Sequence, residues 1–199
     1  RWIRVSQLIE ITERLHPGFK RERCMQYLAQ TKVTTGQKVK QLSKGMVAQL
    51  HLALVMAIDA RLLVLDEPTL GLDIIYRKEF YTNLLNDYFD EERTILITTH
   101  QVEEVEHILT DLIFIRDGRI ALEATMDEVQ ERYTEVMVRP EMAEKARSLR
   151  PLHERELFGR HIFLYDNVAR EQLRELGELH TLSVADLFDA VPALEKELG

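Results

Sequence analysis

Cysteine is almost missing from this chain. Cys24 stands alone among 199 residues, so no intrachain disulfide can form and a reducing compartment is the natural setting. Long apolar runs are missing too: the longest, Leu52 to Ile58, falls far short of the ~20 residues that cross a bilayer as a helix. No signal peptide is visible. Glycine is sparse, and none of the eight is followed by lysine. The phosphate-cradling loop G-x-x-x-x-G-K-[ST] is therefore not among these residues. Basic residues are outnumbered, 26 to 34, for a net charge of −8, which speaks against a nucleic-acid-binding surface. The seven histidines show no metal-ligand spacing such as H-E-x-x-H. Heptads, internal repeats and low-complexity segments are likewise missing. The chain starts at Arg1 rather than Met, which agrees with a truncated product.

What is present is an ordinary globular composition, 45% hydrophobic and 30% charged, long enough for one core or one core plus an appendage. Ser6 is positioned to cap a first helix with Leu8, Ile11 and Leu15 at helical spacing, ending at His16-Pro17-Gly18. A second helix groups Cys24, Met25 and Leu28, and Thr34 to Gln41 reads as loop. A long helix from Ser43 carries Met46, Val47, Leu50, Leu54 and Ile58 on one stripe. Leu62 to Asp66 is short, continuous and apolar, the pattern of a strand buried on both faces. A helix from Ile75 to Tyr88 has Phe80, Leu84, Leu85 and Tyr88 as its inner stripe. A β-branched strand, Thr94 to Thr99, and a helix from Val102 to Leu109 follow. This alternation predicts an α/β fold with right-handed crossovers and a parallel sheet. Asp117-Gly118 is a hairpin turn between Leu112–Arg116 and Arg119–Ala124, and Thr125 with Glu128 forms a capping box for a helix to about Tyr133. Residues 134–199 read as a small α+β appendage. It has strands at Glu135–Val138 and His161–Tyr165, a helix from Asn167 to Leu176 stopped by Gly177, and a last helix from Ser183-x-x-Asp186 through Val191.

Chemistry concentrates between Leu42 and His100. Asp66 and Glu67 close an apolar strand, where ligands bind in open parallel sheets. Asp66 is the candidate Mg²⁺ carboxylate, acting through water, because that cation prefers oxygen ligands and keeps part of its hydration shell. Glu67 is the candidate base that polarises an attacking water. Ser43, Lys44 and Gly45 open the long helix, whose free N–H groups and dipole suit an anion, with glycine allowing close approach. His100 ends the second strand, where an imidazole could donate to a γ-phosphate and link it to the base. Each motif taken alone has a plain structural reading as well: an acidic turn before Pro68, a serine N-cap, a strand-end histidine.

Taken in order, Leu42-Ser43-Lys44-Gly45-Met46, then Leu62 to Pro68, then Leu70-Gly71-Leu72-Asp73, then His100 resemble the signature, Walker B, D-loop and switch histidine of ATP-binding cassette (ABC) ATPases. The resemblance implies a partial P-loop NTPase fold with a mostly parallel sheet. Residues 1–133 would be the C-terminal part of the nucleotide-binding domain: 1–61 the helical subdomain and signature helix, 62–133 the Walker B, D-loop and switch part. Residues 134–199 would be a C-terminal extension. It further implies ATP and Mg²⁺ as cofactors, with Asp66 at the metal and Glu67 and His100 catalytic. Asp73 would serve as the D-loop residue, and Ser43, Lys44 and Gly45 would lie on the ATP of a partner subunit. The implied activity is ATP hydrolysis driving transport, export in the branch that carries Met46 where glutamine is usual. The implied partners are membrane-spanning subunits and a second ATPase subunit, at the cytoplasmic face of the membrane, with no nucleic acid. Without the phosphate loop, the isolated chain is expected to be inactive. Two other readings stand beside this one: a soluble ABC ATPase of DNA repair or translation, and a non-catalytic half-protein serving as an interaction module.

Overall fold

The computed structural model describes residues 2–89 and 92–190, and these form two compact units that meet in sequence between His100 and Gln101. The motif-based boundary at 133/134 lies further along the chain, inside the second unit.

The first unit opens with helix α1 (Val5–Leu15), which buries Val5 and Ile9, and α2 (Arg21–Ala29), which buries Cys24, Tyr27 and Leu28. Arg4, not Ser6, is the cap residue of α1: its backbone N–H donates to Gln7 Oε1 at 2.8 Å, and Ser6 lies inside the first turn. Chain pairing starts the helix early, because Val5 N–H donates to Gln37 O and Ser6 N–H to Thr35 O. Met25 faces solvent, and Tyr27 takes the buried place expected of it. A 3-10 turn at Val39–Gln41 leads into α3 (Lys44–Met56), capped by Ser43 as expected. The buried side of α3 is Leu50, Leu52, Ala53, Leu54 and Met56, while Val47 is exposed.

Strand β1 (Leu62–Asp66) pairs in parallel with β2 (Thr94–Thr98), in register from Leu62 opposite Thr94 to Asp66 opposite Thr98. Between them run α4 (Ile74–Asn83) and a π turn over Leu84–Tyr88, so strand, helix and parallel strand follow in the expected order. The expectation that β1 is buried on both faces fails. Leu63 and Leu65 are buried, but Leu62 and Val64 are 57% and 56% exposed, as is Leu96 of β2 at 46%. Among the described residues β1–β2 is a two-stranded sheet, and a parallel pair is normally covered on both faces. One face here has its cover, and the other is bare.

The second unit begins with a short helix α5 (Val102–Val105) and a 3-10 turn at Glu106–Ile108. The antiparallel hairpin β3 (Asp111–Arg116) and β4 (Arg119–Thr125) turns at Asp117 and Gly118, both with positive φ as a two-residue hairpin turn requires. Thr125 and Glu128 form the expected capping box of α6 (Met126–Arg132). A four-stranded antiparallel sheet follows in the order β6 (His153–Leu157), β7 (Arg160–Asp166), β5 (Tyr133–Val138), β8 (Gly177–His180). Helices α7 (Ala143–Arg147) and α8 (Arg170–Arg174) cover one face, where Val136, Val138, Phe163 and Tyr165 meet Ala143, Ala146 and Leu173. Leu164 and Tyr133 on the other face join the hairpin's Leu112 and Phe114, with Val184 and Leu187 from a helix over 184–190. The α8 helix is shorter than Asn167–Leu176, because Gly177 starts β8 rather than ending a helix. A Cβ on Gly177 would meet the Met137 carbonyl at 2.1 Å, so glycine is what lets β8 dock there. Val191, the expected end of the last helix, lies outside the described residues.

Candidate functional site

The carboxyl end of the β1–β2 pair carries the acidic residues. Because side chains alternate along a strand, Asp66 shares the bare face with Leu62 and Val64. Thr98, its register partner, donates its hydroxyl to Asp66 Oδ1. Glu67 follows in the left-handed region at φ 44°, a costly conformation for a residue with a side chain, held by its N–H donating to Thr98 O at 2.9 Å. That turn directs the Glu67 carboxylate toward the end of β2. There Oε2 accepts from Thr99 Oγ1 at 3.2 Å, and Oε1 accepts from His100 N at 3.0 Å and lies 2.6 Å from His100 Nδ1. The bond from the His100 side chain, chiefly, holds the Glu67 carboxyl below its usual range, with Thr99 and the His100 backbone adding to it. Glu67 is thus a carboxylate at neutral pH, fixed by three donors, beside an exposed imidazole.

The helix α3 entrance forms a second cluster in the same unit. Ser43 Oγ accepts from Met46 N at 3.2 Å, which leaves the Lys44 and Gly45 amides in the part of the first turn that has no intrahelical acceptor. A Cβ on Gly45 would stand 3.3 Å from the Gly71 carbonyl, so the helix entrance sits against the loop that follows Glu67. Gly71 has φ +85°, and Asp73 at the loop's end caps α4 by accepting from Ile75 N and Tyr76 N at 3.1 and 3.2 Å. Of the residues singled out from sequence, Asp66, Glu67 and His100 come together at one strand end, and Gly45 comes to the 70–73 loop. Ser43 and Lys44 make no hydrogen bond to Asp66, Glu67 or His100 among the described residues. Sequence reading missed Thr98 and Thr99, which hold the two carboxylates. Their signal was the parallel register, which sets the β2 end beside the β1 end.

Among the described residues no group of three or more His, Cys, Asp or Glu could enclose a metal. That donor set suits Mg²⁺ only in its usual manner, through one carboxylate, waters and substrate phosphates. Asp66 is exposed and has one oxygen beyond the one taken by Thr98; the Glu67 oxygens already accept from Thr99 and His100.

Searched against models of protein families, the chain matches none. Curated proteins do match. The ABC transporter ATP-binding protein YtrB of Bacillus subtilis is 28% identical over 133 residues, 67% of this chain and 46% of that protein. The lantibiotic transport ATP-binding protein SrtF of Streptococcus pyogenes is 40% identical over 89 residues, 45% of this chain and 38% of that protein. The Nod factor export ATP-binding protein I of Neorhizobium galegae is 37% identical over 95 residues, 48% of this chain and 27% of that protein. The chain thus spans less than half the length of each of these relatives. Among solved structures, an ATP-binding subunit of an ABC transporter aligns with TM-score 0.54 and 17% identity, over 65% of this chain and 55% of that one. A cobalt transport ATP-binding protein aligns with TM-score 0.55 and 16% identity, over 95% of this chain and 67% of that one. By sequence the chain is a homologue of the ATP-binding proteins of ABC transporters, and by structure it carries part of the ABC ATPase fold.

Proposed function

We propose that this chain is the signature-to-switch portion of a transporter's ATP-binding subunit, which couples ATP hydrolysis to transport, export in the first instance. The observation that carries the reading is the Glu67 carboxylate locked between Thr99 and His100 at the carboxyl end of a parallel strand. In this reading Glu67 orients and deprotonates the attacking water. Its lowered pKa makes it a modest proton acceptor, so positioning of the water carries more of the work than proton transfer. His100 holds Glu67 until substrate arrives and then turns its exposed ring to the γ-phosphate. Asp66 would hold Mg²⁺ through water, and charge neutralisation at the phosphates is the chemistry that the cation would supply there. Ser43, Lys44 and Gly45 present amides to the ATP of a second ATPase subunit, with Asp73 in the loop between the two clusters.

The bare face supports the same reading. It carries Asp66 beside Leu62, Val64 and Leu96, so whatever covers the apolar part also stands next to the metal carboxylate. A segment outside these 199 residues that brings the phosphate loop would meet both needs. In this reading the subunit sits peripherally at the cytoplasmic face, on membrane-spanning partners; no helix among the described residues is long and apolar enough to cross a membrane.

Glu67→Gln in the intact subunit tests the assignment. Turnover is expected to fall by about 10²–10⁴-fold with ATP binding retained, since the amide keeps the shape and loses the base. Near wild-type turnover would remove Glu67 from the role. The 199-residue chain by itself is expected to hydrolyse no ATP above background.

A further inference from the structure

Thr98 is the one residue of β2 that reaches both acids at the end of β1. Its carbonyl accepts the Glu67 N–H at 2.9 Å, and its hydroxyl donates to Asp66 Oδ1. One bond is made by backbone and the other by side chain, so the hydroxyl can be removed without loosening Glu67. The hydroxyl bond follows from the pairing: Asp66 and Thr98 are register partners, both exposed on the same face of the sheet. β-Branching restricts the χ1 rotamers of Thr98, which sets the direction of its hydroxyl in advance. A hydroxyl donating to a carboxylate makes a short, strong bond. Among the described residues Asp66 has no other hydrogen bond and no ion pair, so Thr98 alone decides which of its oxygens is taken.

The two common divalent cations ask different things of such a carboxylate. Ca²⁺ gathers about six to eight oxygens in flexible geometry and readily takes both oxygens of one carboxylate. Mg²⁺ demands a near-ideal octahedron, keeps several waters and is satisfied by a single carboxylate oxygen. With both oxygens free, Asp66 would serve either ion. With Oδ1 taken by Thr98, it has one oxygen to offer. Glu67 supplies no replacement, since Oε2 accepts from Thr99 and Oε1 from His100. We propose that Thr98 is a positioning residue which, by occupying Asp66 Oδ1, makes the nucleotide site select Mg²⁺ over Ca²⁺. It acts through Asp66 rather than on the metal, and the same bond stops the carboxylate from turning to present both oxygens. Removing an outer partner of this kind commonly changes metal affinity by about 10–100-fold. This inference deepens the proposed function and rests on it for the assignment of Asp66 to the metal.

Metal binding to the intact subunit, without turnover, tests this. The subunit is loaded with a non-hydrolysable ATP analogue and Mn²⁺, whose free concentration is read by electron paramagnetic resonance. Competition with Mg²⁺ and with Ca²⁺ then gives the ratio of the two affinities. Thr98→Val keeps the β-branch and the carbonyl and loses only the donor. It is expected to move the ratio at least about tenfold toward Ca²⁺. Thr98→Ser keeps the donor and is expected to hold the original ratio, which separates the hydroxyl bond from a general disturbance of the strand. An unchanged ratio in Thr98→Val, or a ratio in Thr98→Ser that follows Thr98→Val, would overturn the proposal. Asp66→Asn distinguishes the two levels of the reading. If it weakens Mn²⁺ while Thr98→Val leaves the ratio alone, only the role of Thr98 falls. If Asp66→Asn leaves Mn²⁺ binding intact, the assignment of Asp66 to the metal falls, and the role of Thr98 with it.

Discussion

The two units solve the same problem, covering a sheet, to different extents. In the second unit the β6-β7-β5-β8 sheet has helices α7 and α8 on one face and the hairpin with the 184–190 helix on the other. Val136, Phe163 and Tyr165 have no exposed surface, and the Tyr165 hydroxyl donates to Ala146 O at 2.8 Å. In the first unit the β1–β2 pair has a covered face with Leu63 and Leu65 and a bare one with Leu62, Val64 and Leu96. The difference shows which part of the chain is self-sufficient. An antiparallel sheet closed by its own helices needs nothing further, whereas a two-stranded parallel sheet with an apolar outer face is half of an arrangement.

The largest effect should come from the closed sheet. Phe163→Ala is expected to cost about 3–5 kcal/mol in urea unfolding, and Leu96→Ala well under half of that. Equal costs would mean that the bare face is covered in solution. Helix entrances come next, one in each unit: Ser43→Ala and Thr125→Ala should each cost about 1 kcal/mol, since each oxygen accepts an otherwise orphaned amide. On the bare face, Leu62→Lys with Val64→Lys should change stability by less than about 0.5 kcal/mol and sharply reduce self-association in light scattering. Unchanged association would place the adhesive surface elsewhere, the exposed Ile113, Ile115 and Ile120 of the hairpin being next in order.

The smallest effect concerns two buffered carboxylates of opposite tendency. Glu135, buried beside Arg155 and opposite His180, has its pKa raised by burial, more than Arg155 lowers it. Its raised folded-state value means stability is fullest below the unfolded carboxylate range and declines as pH rises through the folded value. Glu67 is lowered, so its contribution is present above that range and is lost as pH falls through its folded value. Denaturation at pH 4 and pH 7 should therefore find Glu135→Gln relatively more favourable at pH 7, and Glu67→Gln relatively more favourable at pH 4. The reverse order would refute the two environments.

Much of this was legible beforehand, for local reasons. Asp117-Gly118, the Thr125–Glu128 box and the Ser43 cap are decided by neighbours three residues apart, and all three stand as read. The order of the motifs from Ser43 to His100 also carried the strand–helix–strand frame. What escaped depends on residues distant in sequence. Strands β6 and β8 have weak propensity, His-Glu-Arg-Glu-Leu and Gly-Glu-Leu-His, and form because β7 and β5 stand ready to pair with them. Ser6 lost the cap because Gln37 O and Thr35 O accept from the Val5 and Ser6 N–H groups, which starts the helix ahead of it. In the site, the acids and the imidazole were visible as types, but Thr98 and Thr99 gain meaning only from the β1–β2 register.

That register works as a vernier. Two consecutive carboxylates at the end of β1 are dealt to two different holders, Asp66 to Thr98, and Glu67 to Thr99 and His100. Sliding β1 by one position against β2 would set Glu67 opposite Thr98 and leave its own place to Pro68, or set Asp66 opposite Thr99 and leave Thr98 to Leu65, so either slip costs the site one of its two acids. Insertions in the 68–93 connection leave the pairing untouched, but a single-residue insertion or loss inside either strand disturbs it. Tolerance to length change along this stretch should therefore drop abruptly at Leu62 and at Thr94, a boundary that a deletion scan can locate to the residue.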